Sequence, residues 1–320
     1  MVTSLRVLFF GTPAFAVPTL QQLLRSSHQV VAVVTQPDRP RGRGHKLVFS
    51  PVKEQAIAAG VPVLQPERMK DDALLATIEG LRADLGVVAA YGRILPQRLL
   101  DLPRLGMINV HASLLPRWRG AAPIHRAVLA GDEQTGVTIM RVVLALDAGP
   151  MLAKTAITIG PDETTAELEP RLADAGARLF REVVDQLAAG PVDEEPQDEA
   201  LATYAARLER RESDIDWGRP AHVVHNQIRG LQPWPLAAAR LQGHRVLLLR
   251  SRVADRVDAA ATPGTIVEVS QEGLLVATQP GGIFLQRIQP EGRPPMSVRD
   301  FLNGRPVAAG EAFTPLAPEA

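Results

Sequence analysis

Two side chains at the end of an apolar run carry the first chemical signal. Met107-Ile108-Asn109-Val110-His111 reads as a short strand, with Asn109 and His111 two residues apart near its carboxyl end. Side chains two apart on a strand point to the same face, so an amide and an imidazole would converge on one spot. Such a pair suits acyl transfer: one group donates to a developing oxyanion and the other handles a proton. A second role is open to the same pair. Asn109 would stabilise a turn and His111 would be a satisfied, half-buried histidine. Spacing alone favours this quieter role.

Other residue groups carry weaker signals. Gln36-Pro37-Asp38-Arg39-Pro40-Arg41-Gly42-Arg43-Gly44-His45-Lys46 is a Gly-rich basic loop directly after an apolar run. Such a loop is either a solvated surface turn or a cationic finger that grips a phosphate backbone. His222 and His225 are three apart on a predicted helix, but no nearby acidic partner completes a metal site, so both read as ordinary helix residues. Trp217 and Trp234 could stack on bases; the more economical reading packs them against the second domain's own helix. The chain has no cysteine, which excludes disulfides, thiol nucleophiles and cysteine-based metal sites.

The elements that would position these residues follow from hydrophobic patterning. Arg6–Gly11, Gln29–Thr35, Val61–Leu64, Asp84–Ala90 and Met107–His111 are apolar runs separated by helical stretches at Pro13–Ser26 and Pro51–Ala59. Strands apolar on both faces and alternating with helices predict a doubly wound parallel sheet, of the α/β Rossmann-like class, whose ligands bind beyond the carboxyl strand ends. Gly11-Thr12-Pro13 follows the first strand, but no Gly-x-Gly-x-x-Gly is present, which argues against a dinucleotide enzyme. Two further strands are expected at Thr138–Val143 and Lys154–Ile159. A helix follows from Thr165 to Ala189, with Pro170 predicting a late start or a kink. Beyond it the pattern changes to one helix at Ala221–Arg229 and short strands at Arg245–Leu249, Gly264–Val269, Gly273–Thr278 and Ile283–Ile288, which predicts a small OB-like β-barrel.

At 320 residues the chain exceeds one core, so two domains are expected: 1–189, a linker at 190–206 rich in Pro, Asp and Glu, and 207–320. Charge balances at 35 basic and 35 acidic residues, so any nucleic-acid contact must rest on local patches rather than on bulk charge. No apolar run approaches a membrane span and Met1–Arg6 lacks a secretory layout, so a cytoplasmic protein is expected.

The stretch Asn109-Val110-His111-Ala112-Ser113-Leu114-Leu115-Pro116 resembles the signature of folate-dependent formyltransferases. Leu146-Asp147-Ala148-Gly149 and Val88-Ala89-Ala90-Tyr91-Gly92 resemble two further segments of that family. The basic loop and Arg229-Gly230-Leu231-Gln232-Pro233-Trp234-Pro235 resemble the branch acting on tRNA, and the likeness runs from about Val7 to Asn303. It implies Asn109, His111 and Asp147 as catalytic residues, with Asp147 favouring the charged imidazole. It also implies Ser113, Leu114, Leu115 and Pro116 around the folate, and Arg43, with Arg41 and Lys46, on tRNA. The implied co-substrate is 10-formyltetrahydrofolate with no metal. The implied acceptor is initiator methionyl-tRNA, bound in part by the barrel domain, and a monomer with no membrane partner is expected. The chain departs from the family pattern at Val143, Ala145 and Ala148. If the glycine usual at position 145 had a positive φ, Ala145 would strain the loop that presents Asp147.

Overall fold

The computed structural model describes residues 4–41, 46–254 and 260–316, with the side chains of Arg41 and Lys46 left out. Cα packing divides the chain into two units. The first takes Met1–Pro123, Thr135–Ile157 and Glu169–Ala205; the second takes Ile124–Gln134, Thr158–Leu168 and Ala206–Ala320.

In the first unit the predicted apolar runs become strands, joined by four short strands that the apolar pattern does not mark. They are β1 (Arg6–Gly11), β2 (Gln29–Val34), β3 (Arg39–Arg41), β4 (Lys46–Val48), β5 (Val63–Leu64) and β6 (Leu85–Ala89). After them come β7 (Met107–His111), β8 (Arg119–Gly120), β9 (Gln134–Arg141), β10 (Met151–Thr158) and β11 (Tyr204–Ala205). The helices of this unit are α1 (Val17–Leu24), α2 (Pro51–Ala58), α3 (Asp72–Gly80), α4 (Gln97–Leu100) and, after its first turn, α6 (Thr165–Ala189), whereas α5 (Pro123–Ala130) belongs almost wholly to the second unit. The main sheet runs β10-β9-β7-β6-β1-β2-β5. Strands β5, β2, β1, β6 and β7 are mutually parallel and β9 is antiparallel to β7. The doubly wound reading is thus observed, with an antiparallel margin beside the strand of interest.

Local chemistry sets the helix starts. Ser50 accepts a hydrogen bond from Lys53 N at 3.1 Å, ahead of Pro51 at the first helical position, and Asp71 accepts from Ala73 N at 2.9 Å. Helix α6 runs from Thr165 with Pro170 inside it, so of the late start or kink expected at that proline the late start is not seen. Thr164 and Glu167 exchange capping bonds (Thr164 N to Glu167 Oε2 at 2.9 Å, Glu167 N to Thr164 Oγ1 at 3.3 Å) that fix the first turn ahead of the proline. A buried stripe through Leu172, Phe180, Val183, Val184 and Leu187 then carries the helix onward.

The basic loop after β2 is rooted in a short antiparallel ribbon of β3 and β4. Lys53 pairs with Asp38 at its base, and Gln65 Nε2 donates to the same carboxylate at 2.9 Å. These two bonds hold the Asp38 carboxyl below the usual carboxylate range. Arg43 lies outside the described residues, and only backbone is described for Arg41 and Lys46.

The second unit contains α7 (Ala221–Gly230), β12 (Ala237–Leu241), β13 (His244–Ala254), β14 (Ile266–Val269), β15 (Leu274–Ala277) and β16 (Gly282–Pro290). Three short pieces complete it: β17 (Met296–Ser297), α8 (Val298–Gly304) and β18 (Phe313–Thr314). The antiparallel sheet β14-β15-β16-β13-β12-β18 curls until its edges meet. Ile266 N donates to Glu311 O at 2.7 Å and Phe313 N to Gly264 O at 2.8 Å, closing the barrel. Trp217 packs inside it against Phe313, whereas Trp234 is 46 % exposed and does not share that packing role. His225 is buried, with Nε2 donating to Pro161 O at 3.0 Å and Nδ1 beside Ser251 Oγ at 2.9 Å, which makes it a structural histidine as expected. Arg229, also buried, donates to Gly160 O and Glu163 O at 3.2 and 3.1 Å.

Candidate active site

Strand β7 ends where its polar pair begins. Val110 is buried on one face, where a Cβ added to Gly176 of α6 would come within 3.1 Å of it. Strand alternation therefore turns Asn109 and His111 to the opposite face. Asn109 pairs in register with Val88 of β6 and Met140 of β9, so it is flanked on both sides by sheet and sits on rigid backbone.

After His111 the chain turns sharply, with Ser113 N donating to His111 O at 3.0 Å. Ser113 is fully buried, and its hydroxyl donates to Arg117 O at 2.6 Å. Thr138 Oγ1 donates to Ser113 O at 2.7 Å and accepts from Leu115 N at 3.1 Å. Leu115 packs with Met140 and Met151. Ser113 and Leu115 thus hold the loop's own shape, whereas Leu114 and Pro116 keep part of their surface exposed.

The same loop curls back to His111. Trp118 adopts φ 67° and offers its carbonyl to His111 Nε2 at 3.0 Å. A carbonyl only accepts, so Nε2 carries a proton there. The other ring nitrogen, Nδ1, faces Asp147 Oδ2 at 3.7 Å. That separation exceeds a direct hydrogen bond and leaves Nδ1 able to engage a substrate atom or a water.

Asp147 sits on the excursion between β9 and β10. Residues 143–146 are exposed, and Leu144 and Leu146 are 62 and 59 % exposed, forming an apolar lip. Ala145 is not among the residues of positive φ; that conformation falls on Asp147, with φ 47°. The strain anticipated at Ala145 is therefore absent, and a residue type that tolerates the left-handed region occupies it instead. Gly149 is required for a different reason: a Cβ there would lie 2.0 Å from Arg141 O. Gly120 N donates to Asp147 Oδ2 at 2.8 Å and fixes the carboxylate opposite the imidazole.

The structure brings Asn109, His111 and Asp147 to one end of the sheet, with Leu114, Pro116 and the 143–146 lip nearby in the chain path. Sequence reasoning missed the groups that hold them. The Trp118 carbonyl and the Gly120 amide are backbone atoms with no residue-type signature, and Gln197, which donates to Asp147 O and Gly149 O at 2.8 Å each, lies in a stretch read as a linker. Among the described residues no group of three or more His, Asp or Glu converges as a metal site, and no helix is long and apolar enough to cross a membrane.

Comparison with known proteins bears on this arrangement. Residues 5–184 match the family model described as formyl transferase, and residues 207–306 match formyl transferase, C-terminal domain. The chain is 48 % identical to a methionyl-tRNA formyltransferase of Moorella thermoacetica, over 96 % of this chain and 98 % of that one. It is 46 % identical to a methionyl-tRNA formyltransferase of Pelobacter propionicus, over 97 % and 96 % of the two chains. Among solved structures, HypX from Aquifex aeolicus in complex with tetrahydrofolic acid superposes with a TM-score of 0.65 at 15 % identity, covering 98 % of this chain and 51 % of that one. An N-formyltransferase from Helicobacter canadensis superposes with a TM-score of 0.65 at 16 % identity, over 88 % and 99 %. At those identities the two structures establish a shared fold.

Proposed function

This chain belongs to the formyl transferase family, and we propose that it moves a formyl group from 10-formyltetrahydrofolate to the amino group of methionine on initiator tRNA, for translation initiation. The observation that carries the chemistry is the meeting of Asn109, His111 and Asp147, with Asp147 Oδ2 3.7 Å from His111 Nδ1. The acceptor is argued from near-full-length identity to relatives that bear that substrate in their name.

The residues present fit a folate. A flat heterocycle needs apolar walls and a polar edge; partly exposed Leu114 and Pro116 and the Leu144–Leu146 lip offer the first, and the β7 pair offers the second. The folate supplies a formyl group on nitrogen, already activated toward an amine. As the methionine amine adds to the formyl carbon, negative charge develops on the formyl oxygen. Asn109 donates from its amide to that oxygen, and His111 donates from Nδ1 while Nε2 stays anchored on the Trp118 carbonyl. Asp147 faces His111 and orients a water that takes the proton leaving the amine; as the bond from the formyl carbon to the folate nitrogen breaks, that proton passes to the departing nitrogen. The Gly120 amide holds that carboxylate in place throughout.

The first domain (1–189) thus binds folate and performs catalysis, the basic loop with Arg41, Arg43 and Lys46 grips the acceptor end, and the barrel (207–320) binds tRNA. Exposed Arg245, Arg252, Arg287, Arg293 and Arg299 on the barrel supply cations for a phosphate backbone. The enzyme works in the cytoplasm as a monomer. Purified protein is to be mixed with 10-formyltetrahydrofolate and methionyl initiator tRNA and assayed for formylmethionine, with an amino-sugar nucleotide and glycinamide ribonucleotide as competing acceptors. Formylation of the tRNA in preference to both supports the reading. Preference for either small acceptor overturns it.

A further inference from the structure

Asp147 sits in a left-handed backbone conformation that aspartate tolerates, and groups from elsewhere in the chain fix the turn in that form. These groups come from far along the chain. Gln197 Nε2 donates one hydrogen to Asp147 O and the other to Gly149 O, both at 2.8 Å, and so brackets the turn from its two ends. Gln197 Oε1 in turn accepts from Arg119 Nε at 3.0 Å. Both amide hydrogens and the amide oxygen are therefore engaged, which fixes the amide plane without ambiguity about its flip.

Among the described residues Arg119 is the largest fully buried side chain, 2 % exposed. Its Nη1 and Nη2 donate to Glu199 at 2.9 and 2.8 Å, a bidentate pair of rigid geometry, and Tyr204 adds a further hydrogen bond. Burial alone would lower the guanidinium's affinity for its proton, and the Glu199 carboxylate outweighs that and raises it. The backbone on either side is tied to the same segment. Arg119 N donates to Thr203 O at 2.8 Å, Trp118 N to Thr203 Oγ1 at 2.9 Å, and Ala121 N to Ala205 O at 2.9 Å. Gly120 runs beside Ala205 so closely that a Cβ on it would lie 2.9 Å from the Ala205 carbonyl.

Both ends of Asp147 thus rest on one stretch, residues 195–205. The carboxylate is held by Gly120 N, whose strand pairs with Ala205, and the main chain is held by Gln197. The His111 anchor, Trp118, is tied there as well, through Thr203. We propose that Gln197, supported by Arg119, is a positioning residue for formyl transfer: it sets the Asp147 turn so that the carboxylate faces His111. This rests on the catalytic reading of Asp147 given above. Gln197 touches no reacting atom in this scheme and acts only through the turn.

The experiment uses the full-length protein with 10-formyltetrahydrofolate and charged initiator tRNA. Gln197→Leu keeps the bulk and removes all three hydrogen bonds; Gln197→Glu keeps the acceptor for Arg119 and removes both donors to the turn. Each should lower kcat at least about 10-fold, since small misplacements of catalytic groups are that costly. KM for either substrate should stay within about 3-fold, because the interaction matters in the transition state and not in ground-state binding. In an Asp147→Ala background, Gln197→Leu should cost no further kcat, since the group it positions is gone. A Gln197→Leu enzyme at parental kcat, with Asp147→Ala slow, overturns the positioning role alone. So do losses that multiply in the double variant, or losses abolished by assaying well below a lowered melting temperature. Parental kcat in Asp147→Ala overturns the reading of the site, and the proposal with it.

Discussion

Replacing Gly149 by alanine tests whether turnover depends on the exact seating of the Asp147 loop. The new Cβ would lie 2.0 Å from Arg141 O and 2.9 Å from Arg141 C. An unstrained contact needs roughly 3.5 Å, so the two chains must separate by more than about 1 Å. Arg141 belongs to β9 and is paired in register with Ile108 of β7, so the sheet is the stiffer side and the loop moves. Asp147 lies two residues away, and its 2.8 Å bond from Gly120 N cannot survive a shift of that size. Overpacking of this kind costs about 1–3 kcal/mol of stability, which leaves the enzyme folded at room temperature. Misplacing the carboxylate by about 1 Å should lower kcat about 10²-fold. The assay is steady-state formylation of charged initiator tRNA with melting recorded alongside, and Ala145→Gly as the control. Ala145 is exposed and free of positive φ, so its variant should turn over as the parent does. Near-parental kcat in Gly149→Ala, at any melting temperature, would refute the claim that the loop must be seated to this precision.

Asn109→Ala and His111→Ala should each lower kcat about 10²–10³-fold with little change in tRNA affinity, as loss of one oxyanion donor does; normal turnover in either would remove that residue from the mechanism. Burial, aided by the adjacent Arg126 charge, pushes the His125 imidazole down to about 4, against 6.5 when free. Its contribution to stability is therefore complete above the unfolded value and is lost as pH falls toward 4, by about 2 kcal/mol between about pH 7.5 and pH 5. Melting temperature against pH should fall less steeply in His125→Gln, and an equal slope in both proteins would show that His125 is not held neutral. Arg43→Ala should raise KM for charged tRNA and flatten the salt dependence of tRNA binding by about one counterion, leaving folate binding unchanged; an unaltered salt slope would remove that phosphate contact.

Much of the fold could be read from local pattern, because the central strands β1, β2, β6 and β7 are buried on both faces over most of their length. β1 and β7 have the bounds their apolar runs predict, and β2 and β6 differ only at their ends. The misses have physical causes. β12 opens with Ala237-Ala238-Ala239, all fully buried, and alanine carries neither the branched bulk nor the alternation that marks a strand. The 195–205 stretch reads as a linker because its Pro, Asp and Glu content resembles a solvated tether. Its partners lie about eighty residues away in sequence, at Arg119 and Gly120, where no periodicity could point to them. The shared face of Asn109 and His111 was legible because strand spacing converts directly into it, whereas a chemical role for the pair came from the family resemblance and not from spacing. The role of Ser113 and Leu115 as scaffold was not legible, since a burial pattern inside a loop has no period.

The site divides into a part that the sheet fixes and a part that must be held. Asn109 and His111 ride on β7, flanked by β6 and β9, so their relative placement follows from strand geometry with no added contacts. Asp147 has no such support: it lies on an excursion whose outer residues are exposed, in a left-handed conformation of its own. Four contacts compensate. Gly120 N takes the carboxylate, Gln197 takes the carbonyls of Asp147 and Gly149, and Gly149 presses against Arg141. This asymmetry says where variation is tolerated. Val143, Leu144 and Ala145 are exposed, and Ala145 has no positive φ, so the departures at 143 and 145 put no backbone strain on Asp147. Changes at Gly120, Gly149 or Gln197 strike the supports directly and should act on kcat, whereas changes to Leu144 or Leu146 on the exposed lip should act on folate binding.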